Sequence, residues 1–131
     1  MLDINYNGVT LAYIGDAVIE LAIREMLISS GITDTGRLSV AAQKLVCAQT
    51  QSEVVEKLLP LLTCEEEAAY KLGRNHRISG KPKHASVSEY SRATGLEAIF
   101  GYLHLTGNTE RIQSLIHTAY DGIFSDIKYK I

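Results

Sequence analysis

Residues 8–30 read GVTLAYIGDAVIELAIREMLISS and set the architecture. Leu11, Ile14, Val18, Leu21, Met26 and Ile28 recur at helical spacing and nearly encircle the segment. A helix that is apolar on most sides belongs in the middle of a bundle. Gly31 supplies a C-terminal stop. Asp16, Glu20, Arg24 and Glu25 interrupt the apolar surface, which argues for a core helix and against a membrane span.

Outward from this segment the periodicity stays helical and strand alternation is scarce. Helices are predicted over 35–47 and 51–62, with the polar Gln49 and Thr50 marking the bend between them. Thr63 with Glu66 forms a capping-box signature that opens a helix over 63–73, closed at Gly73. Ser86 with Glu89 repeats the signature and opens a helix over 86–105, stopped by Gly107. Thr109 opens the last helix, over 109–127. The expected class is all-α, a helical bundle in which residues 1–131 form one domain.

A single long irregular stretch, residues 74–87, separates the fourth and fifth helices and contains Gly80 and Pro82. Long loops in compact helical domains are uncommon and often functional. The formal net charge is −2, from thirteen basic and fifteen acidic side chains, but the charge is not evenly spread. Residues 71–84, KLGRNHRISGKPKH, hold five basic side chains (Lys71, Arg74, Arg77, Lys81, Lys83) and no acid. His76 and His84 add conditional charge. Such a segment reads either as an ordinary solvated loop or as a phosphate-contacting arm.

Other functional classes find little support. Cys47 and Cys64 form no CxxC pair and read as reduced thiols inside a cell. His76, His84, His104 and His117 show no metal-ligand spacing, and a zinc site would need more ligands. The N-terminal MLDINYNG lacks the basic and cleavage features of a signal peptide.

Two carboxylates stand in apolar surroundings. Asp16 lies within the first helix, with Glu20 one turn later on the same face. Glu97 lies in GLEAIFG, residues 95–101, where Gly95 and Gly101 would let another helix or a ligand come close. Charges so placed are costly unless paired, hydrated or metal-bound. Asp16 therefore either pairs with a base such as Arg24, or joins a carboxylate cluster that holds Mg²⁺ through oxygen ligands and water, with Mn²⁺ as a substitute.

Together these segments resemble a known family. Residues 11–20, LAYIGDAVIE, resemble the signature helix of the ribonuclease III catalytic domain, and residues 95–103, GLEAIFGYL, resemble its second catalytic helix. Gly73-Arg74-Asn75 and Pro82-Lys83 lie where the compact Mini-ribonuclease III branch has a similar loop. The resemblance implies a Mg²⁺-dependent endoribonuclease that cuts double-stranded RNA, leaving 5′-phosphate and 3′-hydroxyl ends. It implies Asp16 and Glu97 as the catalytic, metal-holding pair, and a cytoplasmic homodimer acting on precursor large-subunit (23S) ribosomal RNA. A ribosomal-protein helper stays open. Arg74, Asn75, Arg77, Lys81, Lys83 and His84 are the expected RNA contacts, with no separate double-stranded-RNA-binding domain. The larger enzymes place two further acids at positions corresponding to Ala12 and Thr94.

Two rival readings stand beside this one. The missing acids at 12 and 94 motivate a non-catalytic RNA-binding relative. Glu53 and Glu56 offer one E-x-x-E pair of the kind used by helical nucleotide pyrophosphohydrolases, though no partner motif follows.

Overall fold

The computed structural model describes residues 6–76 and 86–128. Among them are six α-helices and no strand: α1 (Gly8–Ser29), α2 (Thr35–Val46), α3 (Ala48–Leu58), α4 (Cys64–Arg74), α5 (Val87–Leu105) and α6 (Thr109–Lys128). The all-α class expected from periodicity holds.

Local chemistry sets most of the boundaries. Asn7 and Asp34 cap α1 and α2, each accepting a hydrogen bond from the backbone N–H three residues on. The capping boxes at Thr63/Glu66 and Ser86/Glu89 both form, each with two reciprocal hydrogen bonds. Gly31 and Gly107 take positive φ angles of 99° and 75°, which end α1 and α5 at little cost.

One boundary differs from expectation. The α2–α3 break falls at Cys47, and α3 already begins at Ala48. The Thr50 hydroxyl donates to the Lys44 carbonyl across this break, so Thr50 braces the bend from inside α3. Past Leu58 the chain tightens into a 3₁₀ turn, Leu59–Leu61, with Pro60 in its first turn, where a missing N–H does no harm.

The centre of the bundle also differs. The helix buried on most sides is α5, which packs against α1, α3, α4 and α6 and buries a nearly continuous run from Leu96 to Leu103 interrupted at Glu97. By contrast α1 leaves Tyr13, Leu21 and Ile28 on the surface. Its apolar residues outnumber the positions that face neighbours.

A buried ion pair ties α4 to α6. Glu66 is 2% exposed and accepts two hydrogen bonds from Arg111, at 2.8 and 2.9 Å, while Arg111 also donates to the Leu61 carbonyl. Burial alone would raise the Glu66 carboxyl. The Arg111 and Thr63 hydrogen bonds outweigh it and hold the group below its ordinary value. Arg111→Met leaves that carboxylate buried and unpaired, and is expected to cost about 3 kcal/mol in urea unfolding at pH 7. Because the folded pKa is depressed, this contribution is present above the unfolded value, about 4.5, and fades as pH falls through the lower folded value. The gap between variant and wild type should therefore narrow below pH 4.5.

Candidate active site

The site forms where α1 crosses α5. Both helices carry glycine at the crossing, and neither could carry more. A Cβ on Gly15 would fall on the Glu97 carbonyl and within 2.8 Å of the Gly101 nitrogen; one on Gly101 would fall on the Leu11 carbonyl. The two backbones therefore touch directly. Asp16 follows Gly15, and Glu97 is one turn before Gly101, so the crossing brings the two carboxyl groups together.

The pair is asymmetric. Asp16 faces solvent, whereas Glu97 is largely buried. Burial first, then the hydrogen-bonding contact and negative charge of Asp16, raise the Glu97 carboxyl to about 9. At neutral pH the metal-free pair therefore retains a proton. Among the described residues, no ion pair joins either carboxylate to a Lys or Arg. The anticipated Arg24 partner of Asp16 instead meets Glu20, at 3.1 Å. Glu20 lines a cavity of about 360 Å³ between α1 and α2.

The two positions where larger enzymes have acids offer no carboxylate. Ala12 is buried, and the Thr94 hydroxyl donates to the Tyr90 carbonyl on its own helix at 2.9 Å. No group of three His, Cys, Asp or Glu side chains able to hold a metal occurs among the described residues. The other E-x-x-E candidate dissolves, because Glu56 pairs with Arg92 at 2.9 Å.

The basic segment is described only at its start. Arg74 and Asn75 end α4, both exposed, and the Arg74 Nε donates to the Asn75 side chain. The Arg74 guanidinium lies over the Tyr70 ring at 5.4 Å, which steadies it as it leaves the helix. Arg77, Lys81, Lys83 and His84 lie outside the described residues. The α4 end is itself held near the site: Gly73 packs on Thr94 and Gly95 of α5, and Gly8 of α1 packs on Leu72 and Gly73.

Gly15 was not singled out from the sequence, although it matters as much as Gly101. Its signal is visible afterwards: glycine is an unfavourable choice inside a long helix unless another backbone needs the space. His104 and His117 are helix-surface residues, the latter 3.1 Å from Asp121. Both cysteines are free and exposed.

The Ribonuclease III domain family model matches residues 9–108, spanning the α1–α5 crossing and the basic segment. A Fusobacterium nucleatum protein of known crystal structure is 31% identical, with a TM-score of 0.83 over 91% of this chain and 97% of that one. Fold and sequence thus define an endoribonuclease of the ribonuclease III class. Mini-ribonuclease 3 of Streptococcus pneumoniae is 44% identical, over 88% of this chain and 93% of that protein. Mini-ribonuclease 3 of Enterococcus faecalis is 43% identical over 85% and 86%. The chain belongs to the Mini-ribonuclease 3 family. Among the described residues, no helix is long and apolar enough to cross a membrane.

Proposed function

We propose that this ribonuclease cuts double-stranded RNA with Mg²⁺ held by Asp16 and Glu97. The observation that carries the reading is the carboxylate pair itself. Two acids are forced into contact by a glycine crossing, one of them partly withdrawn from solvent, with no described base between them. Such an arrangement is unfavourable alone and becomes favourable around a divalent cation. Oxygen donors without Cys or His suit Mg²⁺ or Mn²⁺. Two carboxylates fit one ion completed by water, and with Ala12 and Thr94 in place of acids the described residues add no ligand for another.

When bound, the cation supplies charge that offsets the phosphate oxygens and lowers the pKa of a water. The chain's own residues do the rest. Glu97, fixed by its burial in α5, orients the site from beneath, and Asp16 presents its carboxylate from the solvent side. Arg74, Asn75, Arg77, Lys81, Lys83 and His84 carry the phosphate contacts, so duplex binding is expected to weaken steeply with salt. The products are 5′-phosphate and 3′-hydroxyl ends.

The working unit is a homodimer. Tyr13, 82% exposed, with Leu21 and Ile28 leaves apolar side chains exposed along one side of α1, beginning three residues before Asp16. A two-fold partner on that face would bring two sites near one duplex, one for each strand. The substrate is precursor large-subunit ribosomal RNA, in the cytoplasm, and a ribosomal-protein helper would compensate for limited intrinsic RNA affinity.

The test is direct. Purified protein is incubated with a long RNA duplex and with a matched single strand, each with Mg²⁺ and with chelator. Cleavage of the duplex alone, and only with metal, is the expected result. Binding without cleavage under every condition would transfer support to the non-catalytic reading motivated by Ala12 and Thr94.

A further inference from the structure

One face of α5 runs from the helix crossing out to solvent. Gly101, Glu97, Thr94 and Tyr90 are spaced four, three and four residues apart and so form a single stripe. Exposure rises along it: Gly101 is buried, Glu97 and Thr94 are intermediate, and Tyr90 is 42% exposed. Tyr90 stands about 10 Å from Glu97 along the helix axis. It lies in the first turn of α5, where the capping box of Ser86 and Glu89 fixes the backbone just after the basic segment. Its carbonyl is engaged by the Thr94 hydroxyl, but its own hydroxyl bonds to no described residue. A large aromatic side chain is thus carried by a capped helix start on the same face as Glu97, about two turns from it, with its polar tip available.

We propose that Tyr90 is a substrate-positioning residue whose hydroxyl hydrogen-bonds a ribose 2′-hydroxyl beside the scissile phosphate. A-form RNA displays its 2′-hydroxyls in a wide, shallow minor groove, and a tyrosine tip can both donate to and accept from them. This contact distinguishes RNA from DNA at that nucleotide. The inference rests on the ribonuclease site proposed above.

The experiment is a chemical double-mutant cycle. Wild type and Tyr90→Phe are compared on a synthetic RNA duplex, and on the same duplex with 2′-deoxy nucleotides around the mapped cut. Tyr90→Phe is expected to raise KM about five-fold on the all-RNA duplex, the worth of one neutral hydrogen bond. kcat should stay within about two-fold, and on the deoxy-substituted duplex the variant should lose nothing further. Mn²⁺ binding by Tyr90→Phe, followed by electron paramagnetic resonance, should match wild type. An unchanged KM, or an equal loss on both duplexes, overturns the assignment. So does a Tyr90→Ala protein that has lost its oligomeric state, because the ring then belongs to a protein interface. A wild type that cuts no duplex overturns the site reading and this inference together. A wild type that cuts normally beside an unaffected Tyr90→Phe overturns this inference alone.

Discussion

Glu97→Gln is expected to reduce duplex cleavage by a factor on the order of 10³ or more, while making the metal-free protein more stable. The two effects share one cause. Glu97 is largely buried against Asp16, and its carboxyl is raised to about 9. In the absence of a cation, the folded protein retains a proton there that the unfolded chain releases above about 4.5. A raised carboxylate pKa means that stability falls as pH climbs from about 4.5 towards 9, by at most about 1.4 kcal/mol per pH unit, and levels off beyond. The amide in Glu97→Gln carries no charge, so this slope should largely vanish. In chelator, urea midpoints across pH 5–9 should decline for wild type and stay nearly flat for the variant. With Mn²⁺ the order reverses, because the cation stabilises only the protein that binds it. On the proposed reading, loss of a charged metal ligand removes several kcal/mol of transition-state stabilisation, hence the drop in rate. Asp16→Asn should behave alike in cleavage but show a smaller gain in metal-free stability, since it removes the facing charge while the burial of Glu97, the larger cause, remains. A Glu97→Gln protein that cuts at wild-type rate, or whose stability keeps the wild-type pH slope, would show that the pair is not the site.

Gly15→Ala should be the most damaging conservative change in the helical framework. In a free-standing helix the substitution would gain about 1 kcal/mol. Here the new methyl group meets the Glu97 carbonyl and the Gly101 nitrogen, both backbone, so no side chain can turn aside to make room. The helices must separate, and the expected net cost is about 2–3 kcal/mol. Activity should fall further than the folded fraction does. Asp16 rides on one helix and Glu97 on the other, and a displacement approaching 1 Å at a reacting centre can cost on the order of 100-fold. Gly122→Ala provides the contrast: among the described residues its Cβ would meet only the Lys57 Nζ at 3.9 Å, so the helix-forming gain is kept and activity unchanged. Thermal melts and initial rates of the two variants decide the matter. If Gly15→Ala were as stable and active as Gly122→Ala, the contact between α1 and α5 would not be what sets the carboxylate geometry.

Most helix ends were legible in the sequence because they are set by interactions spanning three or four residues. Thr63 with Glu66, Ser86 with Glu89, and the positive φ angles of Gly31 and Gly107 need no tertiary context. The break at Cys47 was misplaced by a few residues because Gln49 and Thr50 are polar without being helix breakers. The two carboxylates were also legible, as acids in apolar surroundings whose flanking residues resemble a known pair of motifs.

What the sequence by itself determined, then, is an all-helical chain, the places where its helices start and stop, and which acids stand out. Only the tertiary structure decided the rest. It made α5 and not α1 the enclosed helix, because a helix richer in apolar residues than its neighbours can cover must leave some exposed. It left Glu97 only partly exposed and Asp16 in solvent, gave Arg24 to Glu20, and joined Glu66 to an arginine 45 residues away. Each of these outcomes depends on how closely two distant backbones approach. At the decisive crossing that distance is set by Gly15 and Gly101 jointly, a condition neither residue's own neighbours can express.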